Sequence, residues 1–342
     1  PFVDGLSRSV ALAEILTPFK RPFLRSAPMF LNTAPKMGSG KTLLATVASN
    51  IATGRPPASM SQQDNPEEEN KRYLSLLMEG SAVTVIDNIE RPIKSDALCT
   101  ILTEPTWKDR VLGQSRTVEV NTSTTWIATG NNLEVSGDLS TRVLVCTIDP
   151  ECEKPEEREF KVNLHEYVPA HRGELAAACL TILRAYWMAR QRGEGVEGLP
   201  VFGRFEGWSE WIREPLVWLG EADPCQTRKL VEARDPVREQ LGAFLEAWNG
   251  CFDSTPQTVA SAIKLVADPS TDSFMALKES MEAIAGDVRG NINCRTLAKF
   301  LVRFEKRIER GFRFVRCGIA HSAVQWAAES ANLTPRLVYS NI

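Results

Sequence analysis

No two cysteines of the 342-residue chain stand in a CxxC spacing, and only three histidines accompany the eight cysteines at 99, 146, 152, 179, 225, 251, 294 and 317. Structural zinc needs closely spaced sulfur and imidazole ligands, so that class is excluded. His165, His171 and His321 are too scattered for a metal centre, and no Ser/His/Asp or Cys/His arrangement suggests covalent catalysis. Free thiols fit a reducing compartment. Long apolar runs are missing as well. The longest, around Leu175 to Leu183, falls far short of the ~20 residues that cross a bilayer. No targeting peptide precedes the first predicted helix, and the expectation is a soluble, cytoplasmic protein with no membrane partner. Net charge is small, −3, so the molecule as a whole is no polyanion binder, which leaves room for a local basic patch. With 43% hydrophobic and 24% charged residues, disorder and collagen-like repetition are excluded. The chain opens on Pro1 rather than Met, as a piece of something longer would.

The patterning predicts an α/β protein. Residues 9–17 carry apolar side chains at helical spacing and stop before Pro18. Met29-Phe30-Leu31 reads as a short strand that opens onto a Gly-rich turn, after which Leu43 to Ile51 reads as a helix. A polar stretch, Gly54 to Pro66, leads into a helix through Tyr73, Leu74, Leu77 and Met78 that closes at Gly80. Ala82–Asp87, Thr125–Thr129 and Val143–Ile148 are apolar, β-rich runs of the kind buried in parallel sheets. Strands alternating with helices predict a parallel sheet over residues 1–150. Beyond Pro155 helices with tryptophans take over, and Arg234-Asp235-Pro236 marks a further boundary.

Between the first strand and its helix lies Ala34-Pro35-Lys36-Met37-Gly38-Ser39-Gly40-Lys41-Thr42. Glycines let backbone N–H groups turn inward around phosphate oxygens, the helix N-terminus adds its positive end, and Lys41 can reach the β- and γ-phosphates. The phosphate-loop pattern GxxxxGK[ST] has Pro35 in place of its first Gly. Pro35, Gly38, Ser39, Gly40, Lys41 and Thr42 are therefore the candidate ATP-binding residues. Thr42 and Asp87, at the end of the Ala82–Ile86 run, are the candidate Mg²⁺ ligands. The catalytic base stays open. Asn88 follows Asp87 where an acid is usual, Glu90 is the next acid, and Glu68 or Glu69 either approaches the γ-phosphate or opens a solvated helix. Asn131, at the end of the next strand, can orient water against the γ-phosphate. Asp138–Arg142 reads as a short helix that would carry Arg142 to the molecular edge, where it completes an adjacent subunit's site or forms a surface salt bridge.

These motifs in this order resemble the AAA+ ATPases across roughly residues 29–149. Val85–Asn88, Trp107–Gly113, Thr129–Asn132 and Asp138–Val143 are similar to the ATPase module of phage and mobile-element replication proteins, superfamily 3-like or minichromosome-maintenance-like helicases often associated with a primase. The resemblance implies a hexameric ring, ATP sites between subunits, single-stranded DNA in a central pore and possible company of a primase upstream. On this reading the function is ATP-dependent DNA helicase or translocase. The alternative is an AAA+ switch ATPase without unwinding activity, such as a helicase loader, transposition ATPase or transcriptional regulator.

DNA contacts are expected from Lys108, Arg110 and Arg116, which flank Trp107 in a loop or hairpin. Trp107 itself either stacks on bases or anchors the core. Residues 295–316 hold eight basic side chains against two acids, a surplus of six that leaves the remaining chain nine charges negative. Leu297, Phe300, Leu301, Phe304 and Ile308 fall on one helical face, with Lys299, Arg303 and Arg307 on the other, and Phe312-Arg313-Phe314 alternates like a hairpin strand. This resembles the recognition helix and wing of a winged-helix domain, or else a solvated face that docks on an acidic partner. The expected organisation is an AAA+ core over 1–155, a helical lid over 156–235 whose Arg172 and Arg213 are either sensors or, as the segment reads more readily, charged flanks of a tryptophan core, and a winged-helix-like DNA-binding domain over 236–342.

Overall fold

The structure, a computed structural model, describes residues 2–110, 116–233, 235–267, 272–287, 289–320 and 322–331. Val111, Leu112, Gly113, Arg234 and His321 lie outside the described residues. The chain divides into two compact units, Pro1–Asp235 and Pro236–Ile342. No helix among the described residues is long and apolar enough to cross a membrane.

The first unit begins with α1 (Gly5–Lys20), capped by the Asp4 carboxylate, which accepts from the Ser7 amide at 2.7 Å. The helix continues through Pro18 instead of stopping before it. Then come β1 (Met29–Ala34), α2 (Lys41–Thr53), β2 (Ala58–Ser61), α3 (Pro66–Glu79), β3 (Val83–Ile89), α4 (Asp96–Thr103), the hairpin strands β4 (Thr106–Arg110) and β5 (Thr117–Asn121), β6 (Thr125–Asn131) and β7 (Val143–Thr147). A five-stranded parallel sheet forms in the order β2-β3-β6-β1-β7. Successive side chains of β1 face opposite sides of the sheet. Phe30 and Ala34 join a core with Val10 and Leu16 of α1, while Met29 and Leu31 join another with Tyr73 of α3 and Leu98 of α4. Helices on both faces explain why every residue of β1 is buried.

The remainder of the unit is α5 (Leu164–Ala170), α6 (Arg172–Gln191), α7 (Glu206–Trp208), a π-helical turn at Ser209–Arg213 leading into α8 (Glu214–Trp218), and α9 (Thr227–Ala233). Leu183, Phe202, Trp208 and Leu216 belong to the same core as α1 and α2, and the Trp208 indole donates to the Thr17 hydroxyl at 3.0 Å. Thr227 offers its hydroxyl oxygen to the edge strand, accepting from the Val145 amide at 3.3 Å. Arg213 donates to both oxygens of Asp223 (2.8 and 2.7 Å) and to the Pro200 carbonyl (2.7 Å). Arg172 donates to the Asn50 and Ala52 carbonyls at the end of α2 (3.2 and 3.0 Å). Both arginines are thus engaged in holding the fold.

The second unit contains α10 (Pro236–Phe252), β8 (Gln257–Thr258), α11 (Val259–Val266), α12 (Asp272–Ala285), α13 (Cys294–Arg303), β9 (Phe312–Ala320) and β10 (Ala323–Ser330). Its antiparallel sheet has the order β8-β10-β9. Leu297 and Leu301 of α13 pack with Phe244, Trp248, Phe314 and Trp326. The helix ends at Arg303 rather than running on to Ile308, because Lys306 adopts φ 64 and its amide donates to the Phe314 carbonyl (2.9 Å), turning the chain back toward β9.

The side chains of Arg213 and Asp223 are 2% and 10% exposed, so Asp223→Ala strands a buried cation. A loss of about 3–5 kcal/mol is expected for breaking such a pair, read as a lowered urea midpoint. Replacing both partners with apolar residues should cost far less.

Candidate nucleotide site

Parallel strands deliver their C-terminal ends to one edge of a sheet, and ligands bind there. Ala34, the last residue of β1, lies level with Asn131, the last of β6. The loop after Ala34 crosses that edge with Gly38 at φ 69 and Gly40 at φ 98, left-handed conformations that glycine adopts without strain. Gly40 caps α2. An added Cβ at Gly40 would meet nothing within 4 Å, whereas one at Gly38 would lie 3.2 Å from the Glu156 backbone nitrogen. The Ser39 hydroxyl donates to the Lys36 carbonyl (2.8 Å) and tightens the turn. Pro35 is exposed and contributes no N–H.

Lys41 donates to Asn131 Oδ1 (2.8 Å) and to the Lys36 carbonyl (2.9 Å). Burial pulls its ammonium below its ordinary pKa, and Asp87 opposes that shift. Thr42 donates its hydroxyl to Asp87 Oδ1 (2.9 Å), and Thr129 donates to the same oxygen. Asp87 sits in a bulge: the β3–β6 register shifts between Ile86 and Ile89, and Asn88 adopts φ 54. Bulges re-aim side chains. The Thr129 hydroxyl also accepts from the Asn88 amide (3.3 Å), so one side chain braces both bulged residues. Gly130 permits the close approach: a Cβ there would lie 2.5 Å from the Ile89 carbonyl oxygen. The left-handed backbone accounts for asparagine where an acid was expected, since Asn tolerates that conformation better than most residues. Glu90 is exposed and accepts from the Asn88 side-chain amide (3.3 Å). Glu68 pairs with Lys71 (2.6 Å). Glu69 is half-buried near Tyr73 and Ser95, and desolvation raises its pKa.

Among the described residues no group of three His, Cys, Asp or Glu side chains could hold a metal by itself. Thr42 and Asp87 offer oxygen donors only, the set that suits Mg²⁺ when substrate phosphates supply further ligands. A triphosphate with its magnesium fits these residues: a glycine turn at a helix N-terminus, an ammonium at its rim and two hard oxygen ligands beside it.

Two features were not legible in the sequence. Residues 153–158 lie along the loop, where Lys36 donates to the Glu153 carbonyl (3.1 Å) and Arg158 to the Ser39 carbonyl (3.4 Å). Behind the loop, the fully buried Glu14 of α1 accepts from the Asn32 side-chain amide (3.2 Å), which also reaches the Lys41 carbonyl at 3.5 Å. Burial pushes the Glu14 carboxyl up to about 8, with Asn32 opposing.

Arg142 differs from its expected place at the molecular edge. It precedes Val143, which is level with Met29 at the start of β1, and its side chain is only 8% exposed. Arg25, Thr103, Glu104, Arg204 and Glu206 line a cavity with it. Residues this far apart in sequence gave no local signal that they would line one cavity with it.

Lys108, Arg110 and Arg116 are exposed on the β4–β5 hairpin and its approach, and Lys108 pairs with Glu119 at 3.1 Å. Trp107 and Val120 pack together on the core side, which makes Trp107 an anchor. In the second unit Lys299 and Arg303 are exposed with no ion pair to a described residue, and Arg303 lies over the Phe304 ring. Arg307 pairs with Glu309 (3.1 Å) and Arg313 with Glu329 (3.5 Å).

No family model and no curated protein matches the chain. Among solved structures, the apo C-terminal region of NrS-1 is similar over 96% of this chain and 76% of its own, at 11% identity and a TM-score of 0.44. The Cch helicase of SCCmec type IV is similar over 96% of this chain and 66% of its own, at 12% identity and 0.34. The JCV helicase is similar over 61% and 60%, at 15% and 0.27. Scores this low identify neither a fold nor a function.

Glu14 yields a pH dependence. Its folded pKa lies above the ordinary 4.5, so between those values the native state retains a proton that the unfolded chain loses. Stability should fall as pH rises from 4.5 to about 8, by up to about 1.4 kcal/mol per pH unit. Glu14→Gln should flatten that slope in urea titrations at stepped pH.

Proposed function

We propose that the first unit is a Mg·ATP-hydrolysing module of the AAA+ kind and that the protein is an ATP-driven DNA helicase or translocase working as a ring, with six subunits as the expected number. The observation that carries the reading is the convergence of Lys41 on Asn131 and of Thr42 on Asp87 at the C-terminal edge of the parallel sheet. Pro35 and the Gly38-Ser39-Gly40 turn cradle the phosphates. Lys41 exchanges its bond to the loop carbonyl of Lys36 for the β- and γ-phosphate oxygens. Asn131, already bonded to Lys41, registers the terminal phosphate and orients water against it. Thr42 and Asp87 would hold magnesium, which when bound neutralises charge on the transferring phosphoryl group. Glu90, Glu68 and Glu69 are the candidate acids to draw the proton from water.

Arg142 cannot serve its own loop. Five strand steps separate Met29 from Ala34, about 17 Å at ~3.3 Å per residue, far beyond an arginine's reach. If it acts on a triphosphate, that triphosphate belongs to a neighbouring copy, which supports a shared site. For DNA, the β4–β5 hairpin with Lys108, Arg110 and Arg116 is the proposed single-strand contact. The order β8-β10-β9 with α13 in front of the hairpin supports a winged-helix-like unit whose Lys299 and Arg303 meet phosphates, with Arg307 and Arg313 beside them.

One observation favours a second reading, a switch ATPase without unwinding: the position after Asp87 is a left-handed asparagine, and the nearest acid is spent on its amide.

Lys41→Ala should lower phosphate release about 100-fold or more, because it deletes the side-chain charge beside the terminal phosphates. Wild-type turnover in that variant would sink the assignment. On a forked duplex with ATP, the full chain should displace a strand. Hydrolysis without displacement selects the switch.

A further inference from the structure

The cavity of ≈460 Å³ that holds Arg142 lies at the strand-start end of the sheet and is lined by three arginines, Arg25, Arg142 and Arg204, against two glutamates, Glu104 and Glu206, with Thr103. Arg142 is 7% exposed yet poorly satisfied. Its Nη2 stands 3.8 Å from Asp138, beyond hydrogen-bond reach. Its Nε has no hydrogen-bond partner, and the Cys99 thiol facing it is a weak acceptor. A buried guanidinium in this condition calls for an anion.

The other two arginines are placed to supply the rest of a site. Arg204 holds φ 73, a backbone that glycine would adopt without strain. Its amide donates to Glu206 Oε1 (3.0 Å) and its carbonyl accepts from the Ser26 hydroxyl, so the turn is pinned from both sides. An arginine kept in a strained turn points to a use for its side chain. Arg25 pairs with Glu104 at 3.2 Å, but those side chains are 73% and 49% exposed, so the pair is weak and readily exchanged.

We propose that this cavity is a phosphoryl-oxyanion site in which Arg25 and Arg204 share the ligand with Arg142, and Glu104 is the counter-ion that Arg25 releases. Planar guanidinium forks match phosphoryl oxygens in pairs, and three of them lining one cavity exceed what a surface ion pair requires. The chain's own phosphate loop is out of range. The phosphoryl group therefore comes either from the triphosphate of another copy, in which case the inference rests on the ATPase reading above, or from a DNA backbone.

The first experiment is independent of that reading. The full chain carrying Lys41→Ala, its loop disabled, is titrated calorimetrically with inorganic pyrophosphate. Saturable binding is expected, weakened about tenfold by Arg204→Asn and likewise by Arg25→Gln, the loss of one charge-assisted contact each. Asn tolerates the left-handed turn, and Arg25 is exposed, so both variants should melt like the parent. No saturable binding, or binding indifferent to both substitutions, overturns the proposal, whereas failure of the ATPase reading would show instead as no Mg·ATP binding by the unmodified chain.

The second experiment assigns the source. If the triphosphate is the ligand, Arg204→Asn in the otherwise unmodified chain should lower DNA-free ATP turnover while leaving Mg·ATP affinity in dilute solution unchanged. Mixing with Lys41→Ala chains, whose cavity is intact, should restore turnover. If DNA is the ligand, DNA-free turnover should hold while single-strand affinity falls and its salt slope shrinks by about one. A variant that alters neither overturns the proposal.

Discussion

Everything at the candidate nucleotide site depends on β6 lying between β1 and β3. With that strand inserted, Asn131 ends level with Ala34, and the Lys41 ammonium finds an amide oxygen 2.8 Å away. The same strand supplies Thr129, whose hydroxyl braces the bulge that turns Asp87 toward Thr42. A parallel sheet aligns strand ends by its hydrogen-bond ladder, so the spacing of loop, carboxylate and amide is set by backbone pairing rather than by flexible side chains. The close approach of Ile89 to Gly130 belongs to the same arrangement.

Much of this was legible in the chain itself. The runs at Met29, Ala82, Thr125 and Val143 are apolar and end in turn residues, the pattern of buried parallel strands, and all of them are strands. The β2 strand was not legible, because Ala58–Ser61 has no apolar run and is extended by pairing with β3 alone. Helix α4 went unread although Ser95 caps it and Leu98, Ile101 and Leu102 fill its buried face. Strand order is a tertiary property that no local pattern states.

At the site, the loop residues, Asp87 and Asn131 were legible as a motif, and their contacts with one another are products of the fold. Asn88 seemed a missing acid in the sequence, and the φ of 54 at that position supplies the physical reason for asparagine. Glu14 gave no warning, since a carboxyl within an amphipathic helix reads as solvent-facing until Asn32 and the surrounding core enclose it. Arg142 likewise looked like a surface residue on a short helix. Its side chain is buried beside Cys99 of α4, a placement that no local pattern states.

The ends of the sheet divide the chemistry. The strand ends carry the proposed phosphate loop, and the strand starts carry a cluster of arginines too distant to serve it. The first half of that division is the most exposed to disproof. Calorimetric titration of the folded chain with ATP, with and without magnesium, should show saturable binding at one site per chain, tightened by the metal and lost in a Thr42→Val, Asp87→Ala double variant. A titration with no heat and no saturation from well-folded protein would contradict the account at its base.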